Sequence, residues 1–315
     1  MRKYLFVAAL AVLALVGTAP AFALMIAPPQ PTQMAINSPV VVTGKVTAIE
    51  KDTVDATAPY VGAKEKLTYK IAVVKINDAL GGANNLTHIK IGFIPPAKVQ
   101  PGGGPVPVNP GQPMILPAPG RPIRPGFQAP ELKVGQEALF FLAKHPTADF
   151  YIIPNMNNPV DISTDAGKKQ LEEVKKITAI IADPMKGLKS DKADVRVETA
   201  ATMVQKYRSY PMFGGEVDNV AINADESKLI LKAIAEADWK QIRPGFGAPS
   251  AMNAFYQLGL TDKDGWVAPK FVRPQPGQPP VDFTAVQKEA FVKWLAGPGK
   301  DYVVKKVVAK TPAPK

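Results

Sequence analysis

The sequence predicts an α+β chain in two parts, an N-terminal five-stranded β-barrel or sandwich with a long Pro/Gly-rich insertion and then a separate all-α helical domain. Three observations predict this. Apolar residues alternate with period two between Val40 and Ile153, the spacing turns helical after Pro154, and the stretch Pro95 to Pro130 interrupts the strands with twelve prolines and six glycines.

The strands come first. From Val40 to Glu50, Val40, Val42, Val46 and Ala48 share one face while Thr43, Lys45 and Thr47 fall on the other, the pattern of a half-buried strand. Leu67 to Asn77 places Tyr69, Ile71 and Val73 together before Val74 and Ile76 change face, which implies a bulge. Ile89, Ile91 and Phe93 form a third strand, the apolar run in Glu137 to Lys144 a fourth, and Phe150 to Ile153 a fifth. Residues 95–130 lack any acidic residue, and their prolines remove the backbone donors that a strand or helix needs, so they read as an extended insertion.

Five helices follow in residues 160–299. The first starts near Ser163 or Thr164 with Leu171, Val174, Ile177, Ile180 and Ile181 on one stripe, and Pro184 stops it. Lys192 to Tyr207 carries Val197, Ala200, Ala201 and Val204 inward behind a Ser190-Asp191 cap. Asp225 to Trp239 follows with capping-box spacing between Asn223 and Glu226, then Ser250 to Leu260, and last a helix opening at Asp282 and ended by Gly297-Pro298-Gly299. Residues 300–315 hold five lysines against one aspartate and read as a solvated basic tail.

The N-terminus reads as a signal peptide over residues 1–23. Arg2 and Lys3 precede thirteen uncharged residues, Tyr4 to Val16, and Ala21-Phe22-Ala23 has the small-x-small form of a cleavage site. Thirteen residues fall short of the roughly 20 that span a bilayer. Export follows, to a secreted, periplasmic or cell-envelope location, with residues 24–39 a flexible leader marked by Pro28, Pro29 and Pro31. Without residues 1–23 the chain keeps a net charge of +9, which favours anionic partners. The sequence has no cysteine, so disulfides, thiolate metal sites, a cysteine nucleophile and acylation on cysteine are all excluded.

Val40-Val41-Val42-Thr43-Gly44-Lys45-Val46, Tyr69-Lys70-Ile71-Ala72-Val73 and Leu132-Lys133-Val134-Gly135-Gln136-Glu137-Ala138-Leu139-Phe140-Phe141-Leu142 resemble the netrin-like or metalloproteinase-inhibitor-like variety of OB fold. The resemblance covers residues 40–155 and implies an OB-like β-barrel. Animal members place an N-terminal cysteine on a protease's zinc, and this chain has no cysteine, so only the fold carries over. Leu188-Lys189-Ser190-Asp191 through Asp194-Val195-Arg196-Val197-Glu198-Thr199-Ala200-Ala201 is similar to one HEAT-type unit. A single unit implies a bundle rather than an array.

Chemistry is sparse. His88 and His145 lie in different strands and read as surface residues; no nucleophile elbow, phosphate loop or zinc-binding His-Glu-x-x-His occurs. Thr261 to Trp266 has two aspartates before a glycine, but Leu260 and Phe271 stand where a calcium loop needs carboxylates, so it reads as a helix-ending turn. No cofactor is expected. The octapeptides Ile123 to Pro130 and Ile242 to Pro249 agree at seven of eight positions, and Val272-Arg273-Pro274 echoes them. Each sets an arginine and an aromatic ring on a proline frame, making Arg124, Phe127, Arg243, Phe246 and Arg273 the candidate contact residues. The function expected is a non-catalytic exported binding or structural protein of the cell envelope, its partner a protein or an anionic envelope component. The alternatives are an extracytoplasmic enzyme without a recognisable motif, and a polyanion or single-strand nucleic-acid binder stacking bases on Tyr69 or Phe93. The last ranks lowest, because export removes the usual substrate and both rings fall on the core face.

Overall fold

The computed structural model describes residues 29–95, 130–154, 158–241, 249–270 and 281–310, and the structural statements below concern these residues. They form a mixed α+β structure with one six-stranded sheet, one two-stranded sheet and seven α-helices.

Strands β1 (Val40–Thr57), β2 (Lys66–Gly81), β3 (His88–Phe93), β4 (Glu137–Lys144) and β5 (Tyr151–Ile152) fall where alternation places them. β1 and β2 run past the predicted ends because they pair with each other along nearly their whole length, from Val41 opposite Gly81 to Thr57 opposite Lys66. Register shifts at Val46/Ala48 and Ile49/Thr53 put extra residues into β1, so its ladder, and not only that of β2, carries bulges. β2 pairs antiparallel with β3, β3 parallel with β5, β5 antiparallel with β4, and β4 antiparallel with the first residues of β1. A sixth strand, β6 (Val160–Asp161), joins the other side of β4.

Both faces of β1 and β4 are covered. Val40, Val42, Val46, Ala138, Phe140 and Leu142 point into one cluster with Ala72, Val74, Ile89, Ile91 and Phe93. Their neighbours Val41, Leu139 and Phe141 point the other way, against Met34, Ala35, Ile36, Val174 and Ile177. A strand buried on two faces reads as a continuous apolar run, which is the form of Ala138 to Ala143.

The leader is not free. Its residues Pro31–Asn37 form helix α1, with proline at the first position, where a missing N–H costs nothing, and with Met34, Ala35 and Ile36 buried. The Lys206 ammonium donates to the Ile36 carbonyl at 2.7 Å, and burial holds that amine below its ordinary pKa. α1 therefore lies between the sheet and the helices.

Helix α2 (Asp165–Ala182) starts at Thr164, whose hydroxyl accepts from the Gly167 amide. Its stripe turns inward as expected, but Val174 and Ile177 meet the outer face of β1 and β4 while Ile180 and Ile181 also reach the helical core. The helices thus share a packing layer with the sheet rather than standing apart from it. Helices α3 (Pro184–Leu188), α4 (Ala193–Arg208), α5 (Ala224–Glu236), α6 (Ala251–Leu258) and α7 (Phe283–Ala296) surround Leu188, Val204, Ile230, Ile234, Trp239, Phe255 and Phe291. Asn223 caps α5 by accepting from the Asp225 and Glu226 amides. Ser190-Asp191 does not cap α4. Lys192 holds that position, and Arg196 binds the carbonyls of both residues instead.

Two strands correct the all-helical reading of residues 160–299 and the solvated-tail reading of 300–315. β7 (Val217–Ala221) pairs antiparallel with β8 (Lys305–Ala309), and Val304 is fully buried, its amide donating to Ser227 Oγ at 2.9 Å. No helix among the described residues is long and apolar enough to cross a membrane.

Candidate functional site

The neighbouring ends of β2, β3 and β5 leave a groove of about 270 Å³. Its floor is Tyr69, Phe93 and Ile152, with Gly92 at the point where a side chain would meet the Phe150 ring. Tyr60 and Pro59, in the turn after β1, form one wall, and Met212 and Phe213, in the loop after α4, form the other; the Val61 amide donates to the Phe213 carbonyl at 3.1 Å and ties the two walls together. Ile94 and Pro130 close the ends. Tyr60 is 61% exposed and Tyr69 only 3%, so one ring stands at the rim and the other in the floor. Burial raises the Tyr69 phenol pKa, with a smaller contribution from Tyr60.

Behind this floor lies His145, which corrects its reading as a surface residue. It is 2% exposed, edge-on to Tyr69 at 5.6 Å and 4.9 Å from the Phe150 ring. Nδ1 accepts from the Thr147 amide at 3.2 Å, which assigns the proton to Nε2, and among the described residues Nε2 makes no close hydrogen bond, the Thr57 backbone being its nearest support. Burial pushes this imidazole below its ordinary pKa, and the Thr57 backbone opposes the shift only in part. Pro146 breaks the strand pattern at this point, so sequence spacing left the ring outside the core.

A second, polar cleft of about 420 Å³ opens on the other side of Met212, between α1, the end of α4 and α6. Its residues, among them Gln33, Asn37, Gln205, Arg208 and Gln257, come from three separated segments and match no motif.

The sequence-derived contact residues Arg124, Phe127, Arg243, Phe246 and Arg273 lie outside the described residues, as do residues 1–23. His88 is exposed, with Nδ1 3.2 Å from Thr87 Oγ1. Tyr69 and Phe93 are buried, as the core-face reading requires. The 261–266 segment is a short 3₁₀ turn in which Asp264 accepts from the Thr261 amide and pairs with Lys305 at 3.1 Å, so that carboxylate is committed to structure. A smaller notch by Asp194 and Asp238 also contains Glu236, which lies 3.6 Å from Arg196 and 3.8 Å from Lys232. Among the described residues no group of three or more His, Cys, Asp or Glu is placed to hold a metal.

Comparison with known proteins adds no relative: no protein-family model matches the chain, and no curated protein matches it.

Proposed function

We propose that the chain is a non-catalytic binding protein, exported by residues 1–23 to the cell envelope, that holds an extended proline-rich segment of a protein partner in the groove between Tyr60 and Phe213. The observation that carries this is the lining. The rings of Tyr60 and Phe213 stand over a buried floor of Tyr69 and Phe93 beside Pro59, Pro130 and Pro154, and no charged side chain lines the groove among the described residues. Rings set among prolines form the surface on which polyproline II segments dock, because that helix is already extended and loses little entropy on binding. The ladder order supports an OB-like β-barrel as the scaffold: β1-β2-β3-β5-β4 leads back to β1, with β3 and β5 parallel. The positive n-region, apolar run and Ala21-Phe22-Ala23 support the export signal.

The octapeptide Ile123 to Pro130 supplies the test ligand, since it combines proline, arginine and an aromatic ring in the order that this chain repeats. Labelled peptide of that sequence, titrated onto the mature chain and followed by fluorescence anisotropy, binds saturably, and Phe213→Ala and Tyr60→Ala each weaken it about tenfold. A chain with Phe127→Ala and Phe246→Ala, which removes the internal copies as competitors, binds it at least as well. Binding that neither groove substitution changes, or no saturation with either chain, overturns the proposal.

A further inference from the structure

The polar cleft beside α4 has the composition of a small-molecule site, and of its lining only Met212 is shared with the peptide groove. Gln205, 6% exposed, brings a side-chain amide to the lining of the cleft from α4. Gln33 and Gln257 bring two more side-chain amides to the same space from α1 and α6. Asn37 adds a further side-chain amide, 2.7 Å from the Ser209 hydroxyl, which also lies 2.7 Å from the Gln205 backbone carbonyl.

Among the described residues Arg208 is the one charged residue in the lining. Its guanidinium is fixed by neutral acceptors, Nε on the Gln257 carbonyl at 3.0 Å and Nη1 on Asn219 Oδ1 at 2.8 Å and the Lys305 carbonyl at 3.5 Å, and it forms no ion pair among the described residues. Lys206, just behind it, likewise binds a carbonyl rather than an acid. The dipole of α4 accounts for basic residues at its end. It does not account for carboxamides gathered from α1, α4 and α6 around them. Tyr210, 73% exposed, adds a ring at the mouth.

We infer that this cleft binds a hydroxyl-rich small molecule bearing a single carboxylate, of the sugar-acid class. The carboxylate faces Arg208, which has no carboxylate partner among the described residues. The hydroxyls exchange hydrogen bonds with the carboxamides, each of which is both donor and acceptor and so matches a hydroxyl in either role. A volume of about 420 Å³ is ample for one six-membered sugar ring.

The test is calorimetric titration of the intact mature protein with sodium D-glucuronate, beside D-glucose and sodium acetate at equal ionic strength. Glucuronate binds at one site and at least about tenfold more tightly than either control. Gln205→Met, which keeps the side-chain length and removes the amide, weakens glucuronate about tenfold or more while the thermal midpoint holds. Should that variant fail to fold, Gln257→Met serves instead, because Arg208 holds the backbone carbonyl of Gln257 and not its side chain. Glucose or acetate binding as tightly as glucuronate overturns the assignment, as does absence of saturable heat up to about 10 mM or full affinity in both variants. Peptide binding at the Tyr60–Phe213 groove is unaffected by glucuronate, so either site can fail without the other.

Discussion

Replacing Ile36 with alanine tests whether α1 belongs to the folded core. Ile36 is completely buried on a seven-residue helix, in one cluster with Val41, Leu139, Phe141, Val174 and Ile177. Removing three carbons from such a site forfeits their transfer free energy and leaves a cavity between two elements that cannot easily close, a loss of about 2–5 kcal/mol. For a folded unit of this size each kcal/mol moves the midpoint by roughly 2–4 °C, so the variant melts about 10 °C lower. Urea titration followed by circular dichroism and tryptophan emission reads the same loss as a lower midpoint with an unchanged slope. Asn37→Ala is the control. It removes only the acceptor of the Ser209 hydroxyl on an exposed residue, an effect of about 1 kcal/mol or less. An Ile36→Ala protein that melts within a degree of the parent would mean that the segment rests on the surface without stabilising it, and the bridging role of α1 would be wrong.

The buried His145 predicts a pH dependence. Its folded-state pKa lies below the unfolded value of about 6.5, so the unfolded chain takes up the proton first and stability falls as pH drops below that value toward the folded pKa. Urea midpoints measured between pH 7.5 and pH 5 decline, and His145→Phe flattens that part of the profile; an equal decline in the variant would assign it to other groups. At Gly187 an added methyl would collide with the Thr199 hydroxyl in the buried seam between α3 and α4. Gly187→Ala therefore costs about 1–3 kcal/mol. Thr199→Ala restores much of it, because among the described residues that hydroxyl has no hydrogen-bond partner to lose. If the two effects simply add, the contact is not the cause. Replacing residues 96–129 with a short glycine-serine linker preserves the far-ultraviolet spectrum and the melting temperature, since the buried positions resume at Pro130 and Leu132; global unfolding would contradict this.

Where burial is one-sided or complete, the sequence states the structure clearly. β3 alternates through Ile89, Ile91 and Phe93, and the stripe on α2 and the Asp282 and Asn223 caps fall at their predicted positions. Legibility fails where the signal is short or shared. Three prolines hide α1, although Pro31 is compatible with a first helical turn and Met34-Ala35-Ile36 is the apolar patch that betrays it. β7 and β8 carry little burial contrast, since four of the five residues of β7 and three of the five of β8 are exposed, so neither shows the alternation that marked the larger sheet. The two concave sites were illegible for a different reason. Residues 33, 37, 205, 208 and 257 meet only after α1 has packed against the end of α4, and Tyr60 meets Phe213 only through a loop-to-loop hydrogen bond. Local pattern cannot report such meetings, whereas the aromatic floor, Tyr69 and Phe93, was visible as core.

If the Tyr60–Phe213 groove is where this chain meets a proline-rich partner, its own residues must respond to the peptide. Amide and aromatic chemical-shift changes, recorded while the Ile123 to Pro130 peptide is titrated onto isotope-labelled protein, test it most directly. Progressive, saturable shifts concentrated at Tyr60, Val61, Tyr69, Gly92, Phe93 and Phe213, with the α5 and α7 signals unmoved, are the expected result. Shifts that gather on the helices, or a titration that leaves the groove residues in place, would contradict it.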